Sequence, residues 1–204
     1  MAAGAPTPAG VADKTQILPV DRSGNPLSRP GLCWYFLGMD PIEVRPARPE
    51  DAKFIRDLMT EQFSAPEVAV HGELIDATTL PALIAWSGTT PAGLLTYRPD
   101  PRPELGWEVV SLGAAAAGRG AGSALIEAVK EVARAAGAKR LWVVTTNNNV
   151  HALRFYQRRG FDLVRVHRDA VTRARALKPK IPTHADGIAI RHEIELEMIL
   201  GDPV

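Results

Sequence analysis

The chain has 204 residues, 46% of them hydrophobic and 23% charged, with a formal net charge of +1. That length suits one domain with an ordinary core, and the composition excludes a disordered chain. The balanced charge argues against a dedicated nucleic-acid binder. Cys33 is the single cysteine, which excludes an intramolecular disulfide, a thiolate zinc site and a Cys-x-x-Cys redox centre, and fits a reducing cytoplasm.

Residues 1–40 are rich in Pro, Gly and Ala without a sustained period, the composition of an N-terminal extension that does not repay its ordering entropy. Within it, "GLCWYFLGM" is too short to span a bilayer and lacks the basic flank of a signal peptide, so no membrane association is expected. Its aromatic island, Trp34 to Phe36, is a candidate for docking or self-association. The folded domain is placed at residues 41–204. "IEVRP" reads as a strand, and "RPEDAKFIRDLMTEQF" as a helix that starts at Pro49 and buries Ala52, Ile55, Leu58 and Met59. "SAPEVAVHGELIDATT" reads as irregular. "LPALIAW" and "PAGLLTYRP" flank "SGTT" as a hairpin, and "GWEVVSLGA" is a strand running into glycines. The helix from Gly120 to Ala136 buries Leu125, Val129, Val132 and Ala136, with Gly137 as its C-terminal cap. "RLWVVTT" is a central strand; "VHALRFYQRRG" is a short helix with Asn149 as N-cap and Gly160 as stop; "FDLVRV" is a strand. In "HEIELEMIL", Ile194, Leu196 and Met198 alternate with Glu193, Glu195 and Glu197, giving one core face and one solvent face. The fold class is a mixed α/β sheet with helices between strands.

"AGRGAGSALIEAV" runs alternating glycines into a helix start, where unpaired N–H groups and the macrodipole favour an anion such as phosphate. A triphosphate P-loop fails because Gly122 is followed by Ser123 and Ala124, not by lysine. A dinucleotide fingerprint fails in spacing, its third glycine falling on Ser123. A third pattern joins two stretches: "GWEVVSLGAAAAGRGAGSALIEAV" resembles the acetyl-CoA binding motif of the GNAT superfamily of N-acetyltransferases. "NNVHALRFYQRRGFDLV", with its N-x-x-A-x-x-x-Y-x-x-x-G-F pattern, resembles the segment that follows it in that family.

The resemblance covers roughly Ile42 to Leu200 and implies an acyl-CoA N-acyltransferase fold, a central, mostly antiparallel sheet with flanking helices. It implies acetyl-CoA as co-substrate and no metal. The pyrophosphate loop, Q/R-x-x-G-x-G/A in the family, falls on Ala117, Gly118, Arg119, Gly120, Ala121 and Gly122, with Ser123 completing the amide cradle. Ala117 departs from the usual Gln or Arg, and the turn before the glycines is shorter than the common form, which bears on affinity. Leu112, Gly113 and Ala114 would pair with the pantetheine arm. Asn149 matches the cofactor-contacting asparagine, and Tyr156 the tyrosine facing the thioester sulfur, a general-acid candidate.

An amine protonated at neutral pH needs a base before it attacks a carbonyl. Glu108, on the strand before the glycines where several members of the family carry a catalytic glutamate, is the first choice; it requires burial or a water chain, since an ordinary carboxylate titrates near about 4.3. His71 and Glu104 are the alternatives. Direct attack in a ternary complex is preferred over an acyl-enzyme on Cys33. The acceptor, a primary amine of a small molecule or peptide, is expected against "FSAPEVAVHGELIDATTL" and "HRDAVTRARALKPKIPTHADGIAIRHE". The second segment carries Arg168, Arg173, Arg175, Lys178 and Lys180, either a solvated face or an anion site; Glu73 and Asp76 are candidates for an ammonium. A GNAT-like module that binds CoA without transfer, as a sensor or interaction domain, is the alternative function. A homodimer is implied by family analogy alone.

Overall fold

The computed structural model describes residues 40–115 and 120–201. The expected extension with Cys33, and Ala117, Gly118 and Arg119 of the glycine loop, lie outside the described residues.

Five consecutive apolar or small residues make β4 (Ala82–Ser87) a strand buried on both faces. Its hairpin partner β5 (Thr90–Arg98) follows across a turn in which Gly88 takes φ 57, as the hairpin reading predicts. β1 (Ile42–Pro46) pairs with β4, and β6 (Trp107–Ala114) with β5. Beyond these stand β7 (Arg140–Thr146), β8 (Asp162–His167) and β11 (Glu193–Ile199), giving a seven-stranded sheet in the order β1-β4-β5-β6-β7-β11-β8, while β9 (His184–Ala185) and β10 (Ile188–Ala189) pair with each other outside it. All neighbours are antiparallel except β6 and β7.

Alternation along the strands sends residues to two cores. Helix α1 (Ala52–Phe63) buries Ile55, Leu58 and Met59 against Ile84 and Leu94; Ala52, expected inside, is exposed. On the other face α2 (Ala121–Ala135) buries Leu125, Ile126, Val129 and Ala133 against Leu83, Leu95, Val109 and Val143. Its last turn meets the sheet through Ala133, so Val132 is 36% exposed and Ala136 is exposed, contrary to expectation. Gly137, at φ 80, closes the helix as predicted: its N–H donates to Arg134 O (2.9 Å) and that of Ala138 to Ala133 O (3.0 Å), the paired bonds of a Schellman cap.

The stretch read as irregular is a hairpin. β2 (Glu67–Val70) and β3 (Glu73–Asp76) are joined by His71 and Gly72, with φ 54 and 78. Two positive φ values in succession are the signature of a type I′ turn, and the two-residue loop ending in Gly was the signal available in the sequence. A second correction concerns β11. It is an interior strand, so its glutamates do not face open solvent: Glu193 is 4% exposed, and Glu195 and Glu197 both accept from the Arg140 guanidinium.

Where the first strand meets α1, Arg45 grips buried Asp51 with two hydrogen bonds (2.7 and 2.9 Å), and the Arg48 N–H adds a third at 2.7 Å. The Arg45 hydrogen bond, offset by burial, holds the Asp51 carboxyl below its ordinary value. A depressed pKa contributes stability that is present above the unfolded value and lost as pH falls through the folded one. Asp51→Asn is therefore expected to cost about 2 kcal/mol at neutral pH. In urea melts the gap to wild type should close as the pH drops below about 4.

Candidate active site

The parallel ladder between β6 and β7 is short: Trp107 faces Leu141, Glu108 faces Trp142 and Val109 faces Val143. A bulge follows at once, the pairing with β5 stepping from Tyr97↔Val109 to Thr96↔Ser111, and a buried Thr96–Ser111 hydroxyl pair (2.7 Å) locks the step. An extra residue on one strand bends it. From there β6 runs on to Ala114 and β7 to Thr146, each still paired with its outer neighbour but not with the other, and the sheet opens as a wedge.

One face of the wedge is built by α2 and by α3 (Val150–Gln157). Leu112, Ala114, Gly122, His151, Ala152, Phe155 and Tyr156 line a cavity of about 250 Å³ there. The structure thus brings Leu112, Ala114, Gly122 and Tyr156, expected separately from the sequence, to one place. Gly113 lies between them on the strand, its Cβ position 2.4 Å from Gln62 Oε1, and Gln62 donates to Ala114 O (2.8 Å). Gly120 takes φ 83 as the N-cap of α2, with free space where a side chain would start; Ala121, Gly122 and Ser123 form the first turn. A Cβ on Gly122 would sit 3.2 Å from the Phe155 ring, so this glycine permits the approach of α3.

Asn149 accepts the Ala152 N–H (3.1 Å) and caps α3 as predicted. At the other end Phe161 N–H donates to Tyr156 O (3.2 Å) and Gly160 N–H to Gln157 O (3.0 Å), with Gly160 at φ 83 and the Tyr156 and Phe161 rings 5.4 Å apart. The Y-x-x-x-G-F spacing is thus itself a Schellman stop with its hydrophobic contact, and it fixes Tyr156. That residue is 6% exposed, and burial pushes its hydroxyl far above the ordinary tyrosine range, so it stays a proton donor.

Beside this cavity lies a broader groove of about 600 Å³ that includes Ser123, Glu127, His151, Arg154, Arg158 and Arg159. Arg159 donates to Ser123 Oγ and stacks over Phe155 at 3.5 Å. These α3 cations were missed in the sequence, where attention went to the later basic run. In that run Arg175 donates to the backbone carbonyls of Ile181 and Ile190, and Lys178 to those of Phe63 (2.8 Å) and Glu67 (2.7 Å). Both are structural staples rather than an anion cradle.

The opposite face holds Glu108. It is 2% exposed, and both oxygens are engaged: Oε1 with His71 Nε2 at 2.8 Å, Oε2 with Arg98 at 2.7 Å. Arg98 also bonds Glu73 (3.1 Å), and Asp76 is spent on Thr78 N–H and hydroxyl. Glu104 is exposed in the turn before β6, outside the lining of these cavities. A second cavity, about 270 Å³, is lined by His71, Gly72, His167, Ala170, Arg173 and Glu193. It draws on both segments expected at the acceptor side, the second of them forming α4 (Ala170–Ala174). Among the described residues no cluster of three or more His, Cys, Asp or Glu is arranged to hold a metal, and no helix is long and apolar enough to cross a membrane.

The sequence and the fold have known counterparts. The protein YdhI of Bacillus subtilis (strain 168), itself described as uncharacterized, is 34% identical over 148 residues, 72% of this chain and 91% of that protein. A GNAT family acetyltransferase from Elizabethkingia anophelis with acetyl-CoA bound superposes with a TM-score of 0.59 at 21% identity, over 79% of this chain and 99% of that one. The ribosomal-protein-S18-alanine N-acetyltransferase from Escherichia coli gives 0.58 at 13% identity, over 80% and 97%. These two structures share this chain's fold, a mixed α/β fold with a large, mostly antiparallel sheet and flanking helices. The model of the Acetyltransferase (GNAT) family matches residues 52–161, which takes in α1, the wedge and Tyr156, and with that match the chain belongs to the GNAT acetyltransferases.

Proposed function

We propose that this protein moves an acetyl group from acetyl-CoA to a primary amine of a small molecule or peptide, by direct attack in a ternary complex. The observation that carries the reading is the wedge between β6 and β7. It has a buried phenol on one face and a carboxylate–imidazole pair on the other, which is the placement an acyl transfer between two substrates requires.

The residues fit acetyl-CoA on three counts. The edge of β6 that turns away from β5 has no partner strand at Leu112, Gly113 and Ala114, and it offers backbone groups for the amides of the pantetheine arm. The N-terminus of α2, with Gly120, Ala121, Gly122 and Ser123, offers amides to the pyrophosphate. The groove with Arg154, Arg158 and Arg159 suits the remaining phosphate. Asn149 holds the start of α3 beside these groups. When bound, acetyl-CoA supplies an activated thioester carbonyl. Tyr156 then donates its proton to the departing sulfur, while the side of Glu108 receives the amine. Cys33 is the single cysteine and has no assigned part in this route.

Thermal-shift titration tests the reading. A ligand at 100 times its Kd stabilises a fold by about 2.7 kcal/mol, so acetyl-CoA and CoA should raise the melting temperature by several degrees while ATP and NAD do not. No shift at millimolar acetyl-CoA would sink the proposal. A shift without thiol release for any amine would leave the non-catalytic module.

A further inference from the structure

The acceptor side contains a group to which the reading so far gives no step, the imidazole of the carboxylate–imidazole pair. His71 sits over the Trp142 ring (centroids 5.2 Å apart) and edge-on to His167 (6.2 Å). Its side chain is 22% exposed and borders the 270 Å³ cavity. Glu108 is closed to a substrate, because it is buried and both of its oxygens already receive donors. A carboxylate in that position accepts only, so the neutral imidazole carries its proton on Nε2, toward Glu108, and its lone pair on Nδ1. Nδ1 is the ring nitrogen nearer Glu193, with Glu193 Oε2 4.0 Å away. That gap is too long for a hydrogen bond, but a nitrogen atom about 2.8 Å from both atoms fits it. The Glu193 side chain is itself only 6% exposed and lines the same cavity.

We propose that His71 takes the proton of the acceptor amine at Nδ1, directly or through one water, with Glu108 as its positioning residue and Glu193 as the anchor of the ammonium form. This rests on the transferase reading above. The ammonium donates to Glu193 and gives one proton to His71, which passes it to solvent. The freed lone pair forms the C–N bond as the C–S bond breaks. Tyr156 protonates the sulfur and is reprotonated from solvent, as the second nitrogen proton is lost there. The turn fixes where this residue stands: His71 occupies the first position of a type I′ turn at φ 54, a left-handed conformation that histidine adopts more readily than most residues.

The groups facing this imidazole are Glu108 and Arg98 from the sheet, Glu193 from β11, His167 from β8, and Arg173 from α4 at the cavity wall. The Glu108 hydrogen bond raises the His71 pKa above its ordinary value, against the opposing effects of burial and Arg98. Burial also raises that of Glu193. A base must be neutral, so activity should climb as pH rises through a value above the usual 6.5 of histidine.

His71→Asn keeps a residue that tolerates the left-handed turn. With an amine that wild type acetylates, chosen from a panel of alkylamines, polyamines, amino acids and short peptides, kcat should fall about 10²–10⁴-fold. The KM for acetyl-CoA should hold, and the variant's rate should keep climbing with pH after wild type has levelled. His71→Gly should be partly rescued by added imidazole. Glu108→Gln should move the acid limb to lower pH, since the partner that raises the imidazole is gone. Glu193→Gln should raise the amine KM and leave that of acetyl-CoA unchanged. A His71→Asn variant with wild-type kcat and pH profile, or a proton found on Nδ1 by ¹⁵N NMR of the neutral imidazole, overturns the assignment and leaves the transferase standing. Acetyl-CoA binding without thiol release by wild type for any amine in the panel overturns both.

Discussion

Tyr156→Phe is expected to lower kcat for acetyl transfer by about 10²–10³-fold, the range of a general acid, and to change the affinity for acetyl-CoA by no more than a few-fold. The reason lies in how the phenol is held. The ring packs against Phe155 (centroids 5.2 Å) and Phe161 (5.4 Å), contacts that phenylalanine keeps, so the fold and the cavity survive. What is removed is one O–H, which burial keeps protonated and which borders the cavity at the wedge. Stopped-flow thiol release beside calorimetric titration with acetyl-CoA separates the two effects. Unchanged kcat would show that another group protonates the leaving sulfur; lost binding would show that the phenol holds the ligand.

Gly106→Ala is the substitution expected to damage the fold most, at about 4 kcal/mol or more. Gly106 lies just before β6 at φ +69, and a Cβ there would stand 2.3 Å from the Arg140 carbonyl oxygen and 2.6 Å from Arg140 Cβ. The obstruction is largely backbone, at the start of β7, so no side chain can swing away. Gly137→Ala is the internal comparison. It has the same left-handed conformation, φ +80, with nothing within 4 Å, and should cost only about 1–2 kcal/mol. Urea melts of the two variants separate strain from collision: similar losses would mean that the Arg140 region yields.

Much of this architecture was legible because its signals are local. The buried run of β4, the cap at Gly137, and Asn149 and Gly160 at the two ends of α3 each declare themselves within a few residues. The His71–Gly72 hairpin offered only the glycine of its turn as a signal, because its strands are short, mixed in polarity and largely half-buried or exposed, and because histidine replaces the usual Asn. The site chemistry was legible on one face only. Tyr156 carries a motif and the glycines a physical argument, whereas Glu108 depends on a partner 37 positions away. Charge alone did not tell Arg175 and Lys178, which tie backbone segments together, from Arg154 and Arg158, which line a groove. The period-2 pattern of β11 likewise showed which residues share a face but not that the sheet continues beyond it to β8.

The three-residue parallel ladder at Trp107–Val109 makes the sheet two antiparallel halves, β1-β4-β5-β6 and β7-β11-β8, meeting at a narrow seam. Each half is knitted along most of its length, while the seam holds at one end and parts at the other, like the hinge of a book. Below the opening the two halves share one core, in which α2 packs on Leu83, Leu95 and Val109 of the first and on Val143 of the second, so the helix does along one face of the sheet what the backbone ladder does only at its end.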